Sequence, residues 1–269
     1  YAEDLRIDFS ILDQHAESYR KIRNTFRYLL GNINDDYEEI DLEKINLDDL
    51  PELEQFMLHK IYLLNENFER YFENYDFHNL YKELLNFCTV DLSAFYFDIR
   101  KDCLYCDPKD SKKRQSTILI LKVILTSLLR WFAPILSFTT EEIYKIIDGK
   151  KSIHLEKFIK FPKNFKNNDL NSKWLDLIKI RDVCNLSIEE KRAEKTIGSS
   201  LEASIIIRLD KERIKIFNDV DFAELCITSN AQIEKSKDNE IIVETLKAEG
   251  TKCPVCWKIS TNPCLRHET

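Results

Sequence analysis

Glycine is scarce in this 269-residue chain, with four residues at positions 31, 149, 198 and 250. Neither G-x-G-x-x-G nor G-x-x-x-x-G-K-[ST] can be written with them, which excludes the usual glycine-rich cradles for nucleotide phosphates. The sequence has no run of eighteen apolar residues and no signal peptide, so it reads as neither membrane-spanning nor secreted. Nor does it open on methionine; it starts at Tyr1 and reads as a piece of a longer protein. An excess of positive charge is lacking too. Forty Lys and Arg against 47 Asp and Glu leave a net charge of −7. That argues against a protein coated in nucleic acid from end to end, while leaving room for a local basic patch.

What is present is a globular composition, 43% hydrophobic and 32% charged, in a length that makes one large or two modest domains. Eight cysteines, scattered and partly in C-x-x-C pairs, point to a reducing cytosol and to a metal site. Residues 10–31 organise the rest. Ser10 suits a helix N-cap, Gly31 a left-handed stop. Between them Leu12, His15, Tyr19, Ile22, Phe26 and Leu29 recur at helical steps and predict one buried stripe. Arg20, Arg23 and Arg27 follow the same steps about a third of a turn away, with Lys21 and Asn24 beside them. Two readings stand for that cationic rim, a solvated face or a place for an anion.

An acidic loop, 32–50, precedes Pro51, which favours a first helical turn. Leu53, Phe56, Met57, Ile61, Leu64, Phe68, Tyr71 and Phe72 predict a second helix to about residue 74. Residues 76–101 predict a third, with Leu80, Leu84, Phe87, Val90, Ala94, Phe97 and Arg100 in step. Residues 110–147 give a fourth and fifth, divided at Pro134. Trp131 and Phe132 read as bundle core, and Tyr81 and Tyr105 as packing residues. A loop over 149–169 marks a subdomain boundary. The sixth helix, 171–196, turns Trp174, Leu175, Ile178, Arg181, Val183 and Leu186 inward and leaves Glu189 to Lys195 mostly solvated. Gly198 is the expected break from helix to strand. From Ala203 the period becomes extended: SIIIRL, QIEKS and EIIVETL are short strands, with a turn at 237–240, and a small α+β domain ends at Gly250.

The chain closes on TKCPVCWKISTNPCLRHET, with Cys253-x2-Cys256 and Cys264-x2-His267 separated by seven residues. Two short pairs on tight turns close a tetrahedron around Zn²⁺, and thiolates favour zinc over magnesium or calcium. A redox centre, which needs a long helix after the first thiol, and idle cysteines are the other readings. Cys103 and Cys106 form another C-x-x-C, but no second ligand pair lies nearby in sequence. Trp257 and Arg266 on a metal-stiffened loop suit unstacked bases and phosphates; alternatively the indole packs over the knuckle.

Several of these segments resemble one family. AESYRKIRNTFRYLLGN is similar to the first helix of the anticodon-binding domain of bacterial-type isoleucyl-tRNA synthetases, where Y-R-K-I-R-N-T is a hallmark. YAEDLRI resembles the lead-in D-x-R-I of that family, and FYFDIRKDCLYCD its F-Y-x-D-x-x-K-D-x-L-Y-C-D. LLRWFAPILSFTTEEIY resembles its R-x-x-A-P-I-L-x-F-T-x-E-E, EEKRAEKTIGSSLEA its R-x-x-K-x-I-G-S-S-L-E-A, and the tail its C-x-x-C-W knuckle. Two departures stand out. Cys103 replaces a usual arginine, and Cys264-x2-His267 replaces the commoner C-x-x-C after a shorter loop.

The resemblance implies a mainly α fold: a helical-bundle anticodon-binding domain (1–150), a linker and long helix (151–200), a small α+β domain (201–250) and a zinc knuckle (251–269). It implies a fragment that recognises the anticodon stem and loop of tRNA(Ile), in a cytoplasmic, monomeric protein that joins isoleucine to its tRNA using ATP. Neither H-I-G-H nor K-M-S-K-S occurs, so no residue here is expected to be catalytic, and ATP belongs to a catalytic body outside this sequence. Arg20, Lys21, Arg23, Asn24 and Arg27 are the expected phosphate or loop contacts. Arg192 and Lys195 are expected at the stem, and Trp257 and Arg266 at the loop. Cys253, Cys256, Cys264 and His267 are expected to hold one structural Zn²⁺. The alternatives are a zinc-bearing helical scaffold for protein partners, a thiol enzyme, and the equivalent region of valyl- or leucyl-tRNA synthetases.

Overall fold

The computed structural model describes residues 7–33, 40–148, 151–217, 219–236, 240–264 and 266–267. The expectations for residues 1–6, for Gly149 and for 237–239 lie outside the described residues. What is described is mostly helical with a small sheet region, and it divides into two compact units: 1–104 with 108–166, and 105–107 with 167–269.

In the first unit, α1 (Phe9–Ile33) starts earlier than its expected cap. The Asp8 carboxylate accepts the Ser10 backbone N–H at 2.8 Å, so Asp8 and not Ser10 closes the open end. Gly31 is no stop either: it lies inside the last turns, without a left-handed backbone. Ile22, Phe26 and Leu29 are buried as expected, joined by Thr25 and Ile33. Leu12 and His15, by contrast, are exposed, and Tyr19 is half-buried. Periodicity reports which face is able to pack, not how far its neighbours reach, and among the described residues no neighbour buries Leu12 or His15.

After Pro51, α2 (Glu52–Glu73) buries Leu53, Phe56, Met57, Ile61, Leu64 and Phe68 at the predicted spacing. The expected third helix is a helical rod in three parts: α3 (Phe77–Asn86), a π-helical stretch over Phe87–Tyr96, and α4 (Phe97–Cys106). A π turn bonds i to i+5 and holds more residues than an α turn, so the inward positions shift. Phe87, Leu92 and Phe97 are buried at steps of five, while Val90 and Ala94, placed inward by a uniform helical period, are exposed.

Arg100 is buried because Glu54 is buried beside it. Its Nε and a terminal nitrogen each donate to the carboxylate at 2.6 Å, and the Tyr96 and Thr117 hydroxyls donate to the same group at 3.2 Å. Burial, with that carboxylate close by, holds the Tyr96 phenol well above its ordinary range and keeps it a donor. A satisfied buried pair of this kind costs about 3–5 kcal/mol when one partner is removed.

Helices α5 (Lys112–Phe132) and α6 (Ser137–Ile147) part around Pro134, as predicted. By length and composition α5 is able to cross a membrane, yet 72% of its apolar window is buried, which is the mark of a core helix. Trp131 and Phe132 are core: the indole donates to Asn65 Oδ1 at 3.0 Å, and Phe132 meets Phe26 edge-on at 6.0 Å. The segment after α6 is pinned to the same core by Phe158 against Phe68 and Phe161 against Trp131. Tyr81 is half-buried, but Tyr105 is exposed and packs no core, against expectation.

In the second unit, α7 (Asn168–Ala193) buries Leu170, Trp174, Leu177, Arg181, Cys184 and Ile188, a face stepping by three and four. Arg181 is held by donating to the Leu225 carbonyl at 2.9 Å. Leu175 and Leu186, expected inward, are exposed, with Ile178 and Val183 half-buried. The helix ends through Lys195 and not at Gly198. Lys195 takes the left-handed conformation at φ 59°, and the N–H groups of Lys195 and Thr196 return to the Arg192 and Lys191 carbonyls at 3.0 Å.

Three strands follow, β1 (Ala203–Leu209), β2 (Asn230–Lys235) and β3 (Ile242–Lys247), ordered β2-β1-β3. The central strand runs parallel to β2 and antiparallel to β3. Two short helices, α8 (Lys211–Phe217) and α9 (Phe222–Leu225), lie in the β1–β2 connection that parallel pairing requires. Ala203, Ile205, Ile207 and Leu209 alternate into the core, and α7 packs on this sheet, where Ser187 and Thr245 hydroxyls meet at 2.7 Å. A two-stranded ribbon, β4 (Thr251–Lys252) with β5 (Ile259–Ser260), is the last pair of strands among the described residues.

Candidate nucleic-acid surfaces and metal centre

The first candidate surface lies on α1. Arg20, Lys21, Arg23, Asn24 and Arg27 are all exposed. Arg20 pairs with Glu17 at 2.6 Å on the helix surface. Arg23 sits 5.9 Å over the Tyr19 ring, donates to its hydroxyl at 3.3 Å and lies 4.0 Å from Glu142. Both acid pairs are open to water, with at least half of each side chain exposed, and such pairs contribute little and exchange readily. Tyr19 is anchored in turn by the Thr139 hydroxyl at 2.8 Å. That bond, then the Arg23 guanidinium, holds the phenol below its ordinary range. The half-buried Tyr19 thus orients Arg23, a role its place in an apolar stripe did not disclose.

In the second unit, Arg192 pairs with Glu189 at 2.6 Å, again exposed, and Lys195 is exposed on the left-handed turn that ends α7. The tail forms a tighter site. Gly250, at φ 119°, lets β4 and β5 pass so closely that a Cβ there would stand 2.1 Å from the Ser260 carbonyl oxygen. The chain then turns through Cys253 to Trp257. The Trp257 N–H donates to the Cys253 carbonyl at 3.0 Å, the Cys253 N–H to the Lys258 carbonyl at 2.9 Å, and Trp257 itself is left-handed at φ 63°. This turn buries both thiols and leaves the indole 58% exposed, under the Lys252 ammonium at 5.6 Å. The indole therefore does not pack down over the knuckle.

The donor atoms of Cys253, Cys256, Cys264 and His267 all lie within 4.8 Å of one another. Cys256 and Cys264 sulfurs are 3.9 Å apart, and His267 Nδ1 is 3.5 and 3.4 Å from the Cys253 and Cys264 sulfurs. A tetrahedral zinc with its usual bond lengths needs edges of about 3.8 Å between sulfurs and about 3.6 Å from sulfur to nitrogen. The donor set fits that ion in both chemistry and spacing. Burial pushes the Cys256 thiol up to about 11. Against burial, the Arg266 backbone N–H and the His267 ring bring Cys264 below its ordinary value. His267 Nε2 lies 3.1 Å from the Cys106 carbonyl, which raises the affinity of the ring for a proton. A carbonyl accepts only, so Nε2 carries the hydrogen, and in the neutral ring Nδ1 keeps its lone pair toward the sulfurs.

The Arg266 guanidinium closes on Asp107 at 2.5 Å. Spacing does not single out Asp107, and it marks Cys106 only for its C-x-x-C with Cys103, although both stand in the quoted FYFDIRKDCLYCD segment. The dismissed C-x-x-C separates: the Cys103 sulfur faces the Thr117 hydroxyl at 3.5 Å, and the Cys106 thiol donates toward the Val255 carbonyl at 3.8 Å.

The comparison with known families fits this arrangement. Residues 54–207 match the family model of the anticodon-binding domain of tRNA ligase. The chain belongs to that family. Among curated relatives it is 65% identical, over 99% of its length, to an isoleucine–tRNA ligase of Pelagibacter ubique, of which it spans 30%. It is 38% identical to the isoleucine–tRNA ligase of Agrobacterium fabrum, over 97% of this chain and 28% of that protein. The corresponding ligase of Petrotoga mobilis is 35% identical, with 97% and 30% covered. The chain thus spans about three tenths of the length of the relatives it matches, and the resemblance read from its motifs is borne out.

Proposed function

We propose that this chain recognises the anticodon stem and loop of tRNA(Ile) within a cytoplasmic, monomeric isoleucine–tRNA ligase, whose catalytic body joins isoleucine to that tRNA using ATP. The observation that carries this reading is the 65% identity to an isoleucine–tRNA ligase over 99% of the chain. In this reading the helical bundle, the linker helix, the α+β domain and the knuckle occupy 1–150, 151–200, 201–250 and 251–269. Arg20, Lys21, Arg23, Asn24 and Arg27 hold phosphates or loop bases, and Arg192 and Lys195 meet the stem. Phosphate contacts set register and base contacts set choice. Cys253, Cys256, Cys264 and His267 hold one Zn²⁺, which supplies folding energy and no chemistry. Trp257 offers an exposed indole face on that rigid turn, where an unstacked base gains from stacking. Arg266, on the same knuckle, takes loop phosphates or base edges.

Filter binding of the chain to tRNA(Ile) across a salt series tests the proposal. If the six cations Arg20, Lys21, Arg23, Arg27, Arg192 and Lys195 each neutralise a phosphate, the logarithm of affinity falls against the logarithm of salt with a slope of about −4 to −5. Trp257→Ala weakens binding roughly 5- to 150-fold without changing that slope. A flat salt series, or equal binding of unrelated tRNAs with exchanged anticodons, overturns the reading. Binding that survives loss of Arg20 and Arg23 unchanged favours a protein-docking scaffold instead.

A further inference from the structure

The tripeptide Tyr105–Asp107, the end of α4 and the residue after it, belongs with the second unit. Three separate contacts tie it to the knuckle. The Cys106 carbonyl accepts His267 Nε2–H at 3.1 Å, Asp107 grips the Arg266 guanidinium at 2.5 Å, and the Cys106 thiol donates toward Val255, within the Cys253–Cys256 turn. The Arg266 pair is largely withdrawn from water, with Asp107 14% and Arg266 28% exposed. Arg266 directly precedes His267 in the chain. Whatever fixes its guanidinium therefore fixes the backbone from which the imidazole hangs.

We propose that Cys106 and Asp107 form the outer shell of the metal site, and that Asp107 is a positioning residue for zinc acting through Arg266. The carbonyl selects the tautomer that leaves Nδ1 for the metal, and the carboxylate sets where that nitrogen stands. Partners of ligating histidines do this work in zinc sites generally, and their loss weakens metal binding about 10- to 100-fold. The need is acute here, because the knuckle has almost no core of its own and the His267 ring is placed by the Cys106 carbonyl and by the pair next to it in the chain. The proposal rests on the reading of Cys253, Cys256, Cys264 and His267 as a zinc site.

The test compares the wild-type chain with Asp107→Asn, Arg266→Gln and the double variant. Zinc affinity is measured by competition with a chromogenic chelator, and the visible ligand-field bands are recorded after Co²⁺ loading. Circular dichroism follows the helices. Each single variant is expected to hold zinc about 10- to 100-fold more weakly with displaced Co²⁺ bands, and the double variant no more weakly than the worse single one. If Asp107→Asn does not fold, Arg266→Gln carries the same test from the other side of the pair. Wild-type affinity and bands in both single variants overturn the proposal alone. Failure of the wild-type chain to take up zinc overturns the reading of the site and the proposal with it.

Discussion

Two C-x-x-C pairs in this chain share a spacing and nothing else. Cys103 and Cys106 ride on α4, where three residues make most of a turn and the backbone is committed to its own hydrogen bonds; each thiol goes to the neighbour it meets, Thr117 or the Val255 carbonyl. Cys253 and Cys256 lie on a turn closed by the Trp257 N–H on the Cys253 carbonyl, with Trp257 left-handed. That turn aims both sulfurs at Cys264 and His267. A ligand motif is a statement about backbone as much as about side chains. Sulfurs three residues apart chelate when the chain between them folds back on itself.

The comparison breaks most visibly at Cys253. Cys253→Ser, or chelation of the wild-type chain, is expected to take zinc content from about one ion per chain to none. Amide exchange over 251–260 should then rise to the rates of an open segment, because a structural zinc supplies on the order of 10 kcal/mol to a segment this small; metal analysis and hydrogen exchange check both. Cys103→Ser sharpens the other side. It should keep its zinc but lose about 1–2 kcal/mol in urea unfolding, since it places a hydroxyl in a buried site beside Thr117. The smallest effect belongs to Cys106→Ala, which removes a weak thiol hydrogen bond and spares the carbonyl that His267 uses. Zinc content should stay unchanged and chelator competition should move by no more than about threefold.

Much of this was legible from residue order. The α2 stripe reads correctly from Leu53 to Phe68 because one regular period runs its whole length. Cys253, Cys256, Cys264 and His267, which the structure brings within 4.8 Å of one another, stand close together in sequence, so their spacing announces the cluster. Val90 and Ala94 were misplaced because the π stretch at Phe87–Tyr96 widens the period without any glycine or proline to mark it. On α7, Trp174 and Arg181 are buried as expected, Arg181 through the distant Leu225 carbonyl, whereas Leu175 and Leu186 are apolar yet exposed, because the buried face steps through Leu170, Leu177, Cys184 and Ile188 instead. Asp107 was invisible as a supporter of the site for a related reason: its partner Arg266 is 159 positions away, and no local pattern encodes a contact of that range.

Gly250 shows how much of the clasp depends on an atom that is missing. The ribbon that aligns its two arms exists because one Cα carries only hydrogen where the Ser260 carbonyl passes. The smallest alternative, a single methyl group, would wedge the arms apart before any metal arrived. Four donors with correct chemistry would then stand too far apart to share an ion. The spacing of these four donors therefore depends on a residue that touches none of them.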